Sequence, residues 1–243
     1  MKRLDQFLDE NDLCRSRARA RDAILRGCVT VNGRPAAKAG LKISDKDVVE
    51  IDDPTAPYVS RAALKLLAGI KASGIEVTGK TCLDLGASTG GFTQVLLEQE
   101  AETVFAVDVG RNQLADEIKT APQVVNLENT NATLLSDEIV PKPIELLVSD
   151  ISFVSLTKVI APALALCTSG ADALLLVKPQ FEVGREKVGK GGIVKDVAAI
   201  EAARRRVDNF VVQQNWEKRA EVPSPIAGGD GNQEFIHWYR KTG

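Results

Sequence analysis

Histidine is almost absent from this chain, one residue in 243, and aromatic side chains make up only 5 % of it. The four cysteines, Cys14, Cys28, Cys82 and Cys167, are widely spaced and form no C-x-x-C pair. A zinc site of histidine and thiolate ligands is therefore not expected, nor is a disulfide scaffold. Cys82 and Cys167 sit in apolar surroundings and read as small core residues. Long apolar runs are missing too, and none approaches the roughly twenty residues that span a bilayer. The opening residues, Met1-Lys2-Arg3 and then an acidic polar stretch, lack the apolar segment of a secretory signal. The expectation is a soluble cytoplasmic protein with no metal and no membrane partner.

A large net charge is also missing: 31 basic residues face 33 acidic ones. The balance is uneven along the chain. Between Cys14 and Lys42 stand Arg15, Arg17, Arg19, Arg21, Arg26, Arg34, Lys38 and Lys42 against the single acid Asp22, a local charge of +7. Clustering of one sign in the N-terminal part points to a face for a polyanion.

That part reads as a small module over residues 1–52. Leu4, Phe7 and Leu8 have helical spacing. Ser16 is placed to cap a second helix that runs through Ala20 and Ile24 to Gly27. Val29-Thr30-Val31-Asn32-Gly33 is a strand entering an Asn-Gly hairpin turn, and Val48, Val49 and Ile51 supply another strand. Two prolines without periodicity mark a linker at 53–59, which leaves 60–243 as the second domain. There, strands are predicted near 81–85, 103–108, 123–127, 144–149, 173–178, 219–222 and 234–240. Helices fit 60–72, 91–99, 111–119, 155–167 and 196–214. Alternation of this kind predicts an α/β fold, a doubly wound and mostly parallel sheet.

The most telling segment is Cys82-Leu83-Asp84-Leu85-Gly86-Ala87-Ser88-Thr89-Gly90-Gly91-Phe92. A strand delivers a tight glycine loop to a helix N-terminus, the place where doubly wound sheets bind ligands. Its spacing is G-x-x-x-G-G, not the G-x-G-x-x-G that cradles a dinucleotide pyrophosphate, which disfavours an NAD-linked oxidoreductase. About twenty residues on, Thr103–Val107 ends at Asp108, where an acid can accept hydrogen bonds from ribose hydroxyls. A nucleoside-bearing cofactor without pyrophosphate fits, and S-adenosylmethionine is the first candidate. Three more strand or helix ends carry chemistry. Leu146–Ser149 runs into Asp150, Leu174–Val177 into Lys178-Pro179, and the helix opening at Ser60-Arg61 carries Lys65. The loop Gly228-Gly229-Asp230-Gly231-Asn232-Gln233 ends in Glu234. His237, Trp216 and Trp238 read as structural. Gly184–Gly192, with Arg185, Lys187 and Lys190, reads as a substrate loop.

The helix–basic helix–hairpin pattern of residues 1–52 resembles the S4 RNA-binding domain. Lysine, aspartate, lysine and glutamate in this order around a G-A-S-T-G-G-F loop resemble the FtsJ-type RNA 2′-O-methyltransferases. With Lys178-Pro179-Gln180-Phe181-Glu182 and Val188-Gly189-Lys190-Gly191-Gly192, nearly the whole chain resembles the TlyA, or haemolysin A-like, ribosomal RNA methyltransferases. The resemblance implies a Rossmann-like methyltransferase fold behind a small α+β module, and transfer of a methyl group to a ribose 2′-hydroxyl of ribosomal RNA, at a cytidine. It places a catalytic tetrad on Lys65, Asp150, Lys178 and Glu234. Cofactor contacts fall on Asp84, Gly86, Ala87, Ser88, Thr89, Gly90, Gly91, Phe92, Asp108, Glu128 and Asn129. RNA contacts fall on Arg3, Arg15, Arg17, Arg19, Arg21, Arg26, Arg34 and Arg61. Asn129 is followed by Thr130 where relatives often have arginine.

The chemistry is consistent with these residue types. A ribose hydroxyl is a poor nucleophile at neutral pH, and a lysine whose charge is disfavoured by burial or by a second ammonium can take its proton. Lys178 is the base candidate, with Lys65 its like-charge neighbour; Asp150 would orient Lys178 and Glu234 would position Lys65 or the substrate ribose. Two further readings are a non-catalytic RNA-binding assembly factor and a membrane-lytic protein. The tetrad opposes the first, and the lack of an apolar segment opposes the second.

Overall fold

Short apolar runs become strands here because both faces of the sheet they enter are covered. A computed structural model describes residues 1–44 and 46–243. The chain folds as two compact units, Met1–Pro57 and Tyr58–Gly243.

In the first unit, α1 (Leu4–Glu10) and α2 (Arg17–Leu25) pack through Leu4, Leu8, Ala20, Ala23 and Ile24. The Ser16 hydroxyl caps α2 by accepting from the Arg19 amide at 3.3 Å. The expected hairpin and strand are β2 (Val29–Val31), β3 (Arg34–Pro35) and β5 (Val49–Ile51), and two short strands the sequence reading did not anticipate, β1 (Lys2–Arg3) and β4 (Lys42–Ile43), pair with each other. The β2–β3 hairpin turns at Asn32 and Gly33, with φ of 52° and 72°, the left-handed pair that a two-residue hairpin of this type needs. Asp5 is fully buried and accepts from Arg3 and Arg17; these guanidinium bonds hold its pKa down to about 2.

The second unit contains α3 (Ala63–Ser73), β6 (Thr81–Leu85), α4 (Gly91–Glu98), β7 (Thr103–Val107), α5 (Asp116–Lys119), β8 (Val124–Leu127), β9 (Ile144–Ser149), α6 (Ala161–Ala165), β10 (Cys167–Val177), α7 (Pro179–Glu182), α8 (Val197–Val212), β11 (Trp216–Pro223) and β12 (Phe235–Lys241). Seven strands form one sheet in the order β11-β12-β10-β9-β6-β7-β8. From β10 to β8 all neighbours are parallel, and β12 runs antiparallel to both β10 and β11. Alternate residues serve opposite faces. Leu83, Leu85, Phe105, Val107, Leu147 and Leu175 meet α6 and α8 through Ala163, Leu164, Val207 and Val211. Cys82, Val104, Leu146, Val148, Leu174 and Leu176 meet α3 and α4 through Leu66, Phe92, Val95 and Leu96. This is the doubly wound α/β architecture, and no helix among the described residues is long and apolar enough to cross a membrane.

Two expected helices are shorter than their periodicity. The segment 111–119 is helical only over Asp116–Lys119, because Asn112 takes a φ of 51° and the Glu128 carboxylate captures the Gln113 and Leu114 amides. The segment 155–167 splits into a 3-10 turn, Leu156–Lys158, and α6, which carries Pro162 in its first turn. Strand β10 is longer than expected, starting at Cys167 and interrupted by a register shift before Asp172.

Candidate active site

Successive strands leave β6 in one direction through β7 to β8, then the chain returns to place β9 on the other side of β6. A crevice opens at such a switch, beyond the carboxyl ends of the strands. It is a cleft of about 470 Å³ between the glycine loop, the end of β7 and the segment after β9. The loop leaves β6 at Gly86, whose φ is 87° and whose missing side chain gives room to the Ile151 backbone, 3.1 Å from an added Cβ. It enters α4 at Gly90, with φ of 94°. A side chain there would meet Leu114 at 2.8 Å, so packing behind the loop calls for glycine at Gly90.

Asp108 stands at the end of β7 on the cleft wall, its carboxylate accepting from the Ser88 amide at 2.8 Å and the Gly110 amide at 2.7 Å. Each carboxylate oxygen has a further lone pair for ligand hydroxyls. Gly86, Ser88 and Asp108 line the cleft, as do Thr130, Asn131, Ile151, Ser152 and Phe153, which sequence reasoning did not single out. Asp108 behind a bare glycine backbone, with an apolar opposite wall, fits a nucleoside carrying a short polar tail. The volume is that of ordinary small-molecule sites.

Other expected contacts lie elsewhere. Asp84 is fully buried, accepts from the Thr93 hydroxyl at 2.6 Å and does not line the cleft; burial pushes its pKa up to about 7. Gly91 and Phe92 are buried at the start of α4, and Phe92 belongs to the core. Glu128 is a structural cap: Asn126 and the Gln113 and Leu114 amides hold its pKa down to about 2. Asn129 accepts from Arg111 at 2.8 Å. Ala87 is buried, and Thr89 is exposed while its carbonyl binds the Ala115 amide.

The four chemical residues meet at the ends of β9 and β10. Lys65 of α3 lies 2.7 Å from Glu234 and 3.7 Å from Asp150, while Lys178 lies 2.6 Å from the same Asp150 oxygen. One carboxylate thus bridges two buried lysines, and Glu234 holds the outer one. Lys178 also donates to the Asp150 carbonyl at 3.0 Å and to the Ser152 hydroxyl at 2.6 Å. Glu182, four residues on, accepts from the Ser155 hydroxyl at 2.6 Å and the Leu156 amide at 2.7 Å, tying the Lys178-Pro179-Gln180-Phe181-Glu182 run to the segment after β9. Phe153, at a φ of 69°, is 92 % exposed on the cleft rim, its ring 5.4 Å from that of Phe181.

His237 is buried and bonded to Asp208 at 2.8 Å, as the reading of it as structural anticipated. Asp208, Glu221 and His237 bring three potential ligand atoms within 4.8 Å, but Lys218 pairs with both carboxylates and Arg204 with Glu221. Those side-chain cations already neutralise the cluster.

In the first unit the basic residues divide. Arg3 and Arg17 neutralise Asp5, and Arg26 pairs with Asp22 at 2.8 Å and Asp53 at 2.6 Å. Arg15 and Arg19 donate to the Pro57 and Thr55 carbonyls. The side chains of Arg21, Arg34, Lys38 and Lys42 are exposed and make no hydrogen bond or ion pair among the described residues. In the second unit Arg61 is half-buried ahead of α3.

The profile of the FtsJ-like methyltransferases matches residues 58–241, and that of the S4 domain matches residues 2–49. The chain is 42 % identical to the 16S/23S rRNA (cytidine-2′-O)-methyltransferase TlyA of Mycobacterium tuberculosis, covering 98 % of this chain and 89 % of that protein. It is 39 % identical to Hemolysin A of Brachyspira hyodysenteriae, covering 96 % and 98 %. Among solved structures, a putative hemolysin from Streptococcus thermophilus superposes with a TM-score of 0.79 at 33 % identity, covering 99 % of this chain and 88 % of that one.

Proposed function

The chain belongs to the FtsJ-like methyltransferase family and carries an S4 domain ahead of its methyltransferase unit, and from that premise we propose that it methylates a ribose 2′-hydroxyl of ribosomal RNA. The names of its relatives point to a cytidine as the target, and a ribosomal RNA substrate would put its work in the cytoplasm. One observation carries the reading: two buried lysines, Lys178 at the end of β10 and Lys65 on α3, are joined through Asp150 beside a nucleoside-sized cleft.

S-adenosylmethionine fits that cleft and would supply the electrophilic methyl group. Asp108 would accept from its ribose hydroxyls, with the Gly86 and Ser88 segment of the loop lining the cleft beside it. Asp150 orients both lysines, and Glu234 fixes Lys65 in place. Lys178 is the acceptor for the 2′-hydroxyl proton. The Lys65 ammonium stands on the far side of Asp150 and shares that carboxylate. The exposed ring of Phe153 offers a face on which an unstacked base can rest.

Tritium transfer from labelled S-adenosylmethionine to ribosomal RNA tests the proposal. The wild type should label the RNA. Lys178→Arg should fold, bind the cofactor and fail to transfer, because a guanidinium does not release its proton to become a base. Transfer by Lys178→Arg at the wild-type rate contradicts the base assignment. RNA binding without transfer by the wild type would leave an assembly factor.

A further inference from the structure

The Lys178 ammonium has three oxygens within 3.0 Å: Asp150 Oδ1, the Asp150 carbonyl and Ser152 Oγ. It is 5 % exposed and does not line the cleft, whereas Asp150 and Ser152 do. A substrate hydroxyl approaching a methyl group held in the cleft therefore meets Asp150 and Ser152 before it meets Lys178. To act as a base, Lys178 must present a lone pair, and one neighbour must then accommodate an amine in place of an ammonium. The carbonyl and the ionised carboxylate only accept hydrogen bonds; a hydroxyl both accepts and donates. Asp150 Oδ1, despite its closeness, has no directed hydrogen bond and acts on Lys178 through charge. Ser152 is thus the one partner of Lys178 that can reverse its role, and it faces the cleft.

We infer that the Ser152 hydroxyl relays the proton from the ribose 2′-hydroxyl to Lys178, a step that rests on the methyltransferase reading above. As the 2′-oxygen attacks, its proton passes to Ser152 Oγ while the original Ser152 proton passes to the Lys178 amine. The electron pair freed on the 2′-oxygen forms the new bond to the methyl carbon, and the pair of the broken sulfur–carbon bond stays on sulfur. Ser152 ends as it began and Lys178 ends as an ammonium. After product release its added proton returns through Ser152 to water. Asp150, bound to both lysines, holds Lys178 against Ser152 throughout.

The test is single-turnover methyl transfer to ribosomal RNA by the full-length wild type, Ser152→Ala, Ser152→Thr and Lys178→Ala, with cofactor affinity measured by calorimetry. Proton transfer by a positioned group is worth about 10²–10⁴ in rate. Ser152→Ala should therefore lose about 10²-fold in transfer with cofactor affinity close to wild type, and Ser152→Thr, which keeps the hydroxyl, should recover most of it. In mixtures of light and heavy water, the wild-type rate should follow a curved proton inventory, since two protons move together. A linear wild-type inventory overturns the relay, as does near-normal transfer by Ser152→Ala while Lys178→Ala is inactive. Either result leaves the methyltransferase reading standing. No transfer by the wild type defeats that reading instead, and full transfer by Lys178→Ala overturns the relay by removing its acceptor while the methyltransferase reading stands. If Ser152→Ala does not fold, the threonine variant and the wild-type inventory still decide.

Discussion

Asp84 shows how a residue read as a ligand contact turns into a structural one. It sits at the end of an apolar run beside the glycine loop, so its place in the sequence is that of a cofactor-binding acid. The strand's alternation instead aims its side chain at α4, where Thr93 is its partner and one carboxylate oxygen has none. Burial raises its pKa to about 7, above the roughly 3.9 of an unfolded chain. A group whose proton is held more tightly in the folded state stabilises below its unfolded pKa and loses that contribution as pH rises through its folded pKa. Asp84 should therefore cost the ligand-free protein stability between about pH 4 and pH 7, at about 1.4 kcal/mol for each tenfold difference in proton affinity between the folded and unfolded chain. Denaturant unfolding of wild type and Asp84→Asn should show the wild type falling behind the variant across that window. A pH-independent difference would contradict this. Asp150 and Lys178 were legible because hydrophobic runs mark where strands end, whereas the four residues came together as a set only through the resemblance to the FtsJ-type enzymes. Their pairing was less so: Asp150 was read as the partner of Lys178 alone, yet it bridges both lysines, a contact that depends on β9 lying between β6 and β10.

Among the elements, the loops that close the site were the hardest to read from sequence. Gly184–Gly192 and Gly228–Gln233 both read as flexible glycine-rich connections, but Asn232 joins them. Its side chain accepts from the Val194 amide at 2.9 Å and donates to the Gly192 carbonyl at 2.8 Å. The second loop also carries the strictest steric limit at the tetrad. A Cβ on Gly228 would lie 2.5 Å from Glu234 Oε1. Gly228→Ala should push that carboxylate off Lys65, and displacements near 1 Å in such constellations cost up to about 10²-fold in rate. The variant should keep its cofactor affinity and lose at least about tenfold in transfer, read by calorimetry and single-turnover assay. Normal transfer would show that Glu234 need not hold Lys65. The shortened α5 has a similar lesson: a helical pattern yields when a distant carboxylate, here Glu128, captures the amides that would start it.

For the whole molecule, the local excess of positive charge was plain in the sequence, but its division of labour was not. Charge pairing inside the first unit engages Arg3, Arg17 and Arg26 and leaves the side chains of Arg21, Arg34, Lys38 and Lys42 exposed. Each phosphate contact adds about 0.7–0.9 to the slope of log affinity against log salt. Arg34→Ala should reduce that slope for ribosomal RNA by about this amount, whereas Arg26→Ala should lower stability and leave the slope nearly unchanged. Filter binding across a salt series, with thermal melting alongside, separates the two; equal slopes for Arg34→Ala and wild type would remove Arg34 from the RNA face. The central claim, methylation of ribosomal RNA through the Lys178 centre, is tested most directly by mapping 2′-O-methylation across the ribosomal RNA of cells that lack the gene, supplied again with the wild type or with Lys178→Ala. The account predicts ribose methylation at one or more cytidines that is absent without the gene, restored by the wild type and not restored by Lys178→Ala. A methylation map unchanged by loss of the gene, or restored by Lys178→Ala, would contradict it.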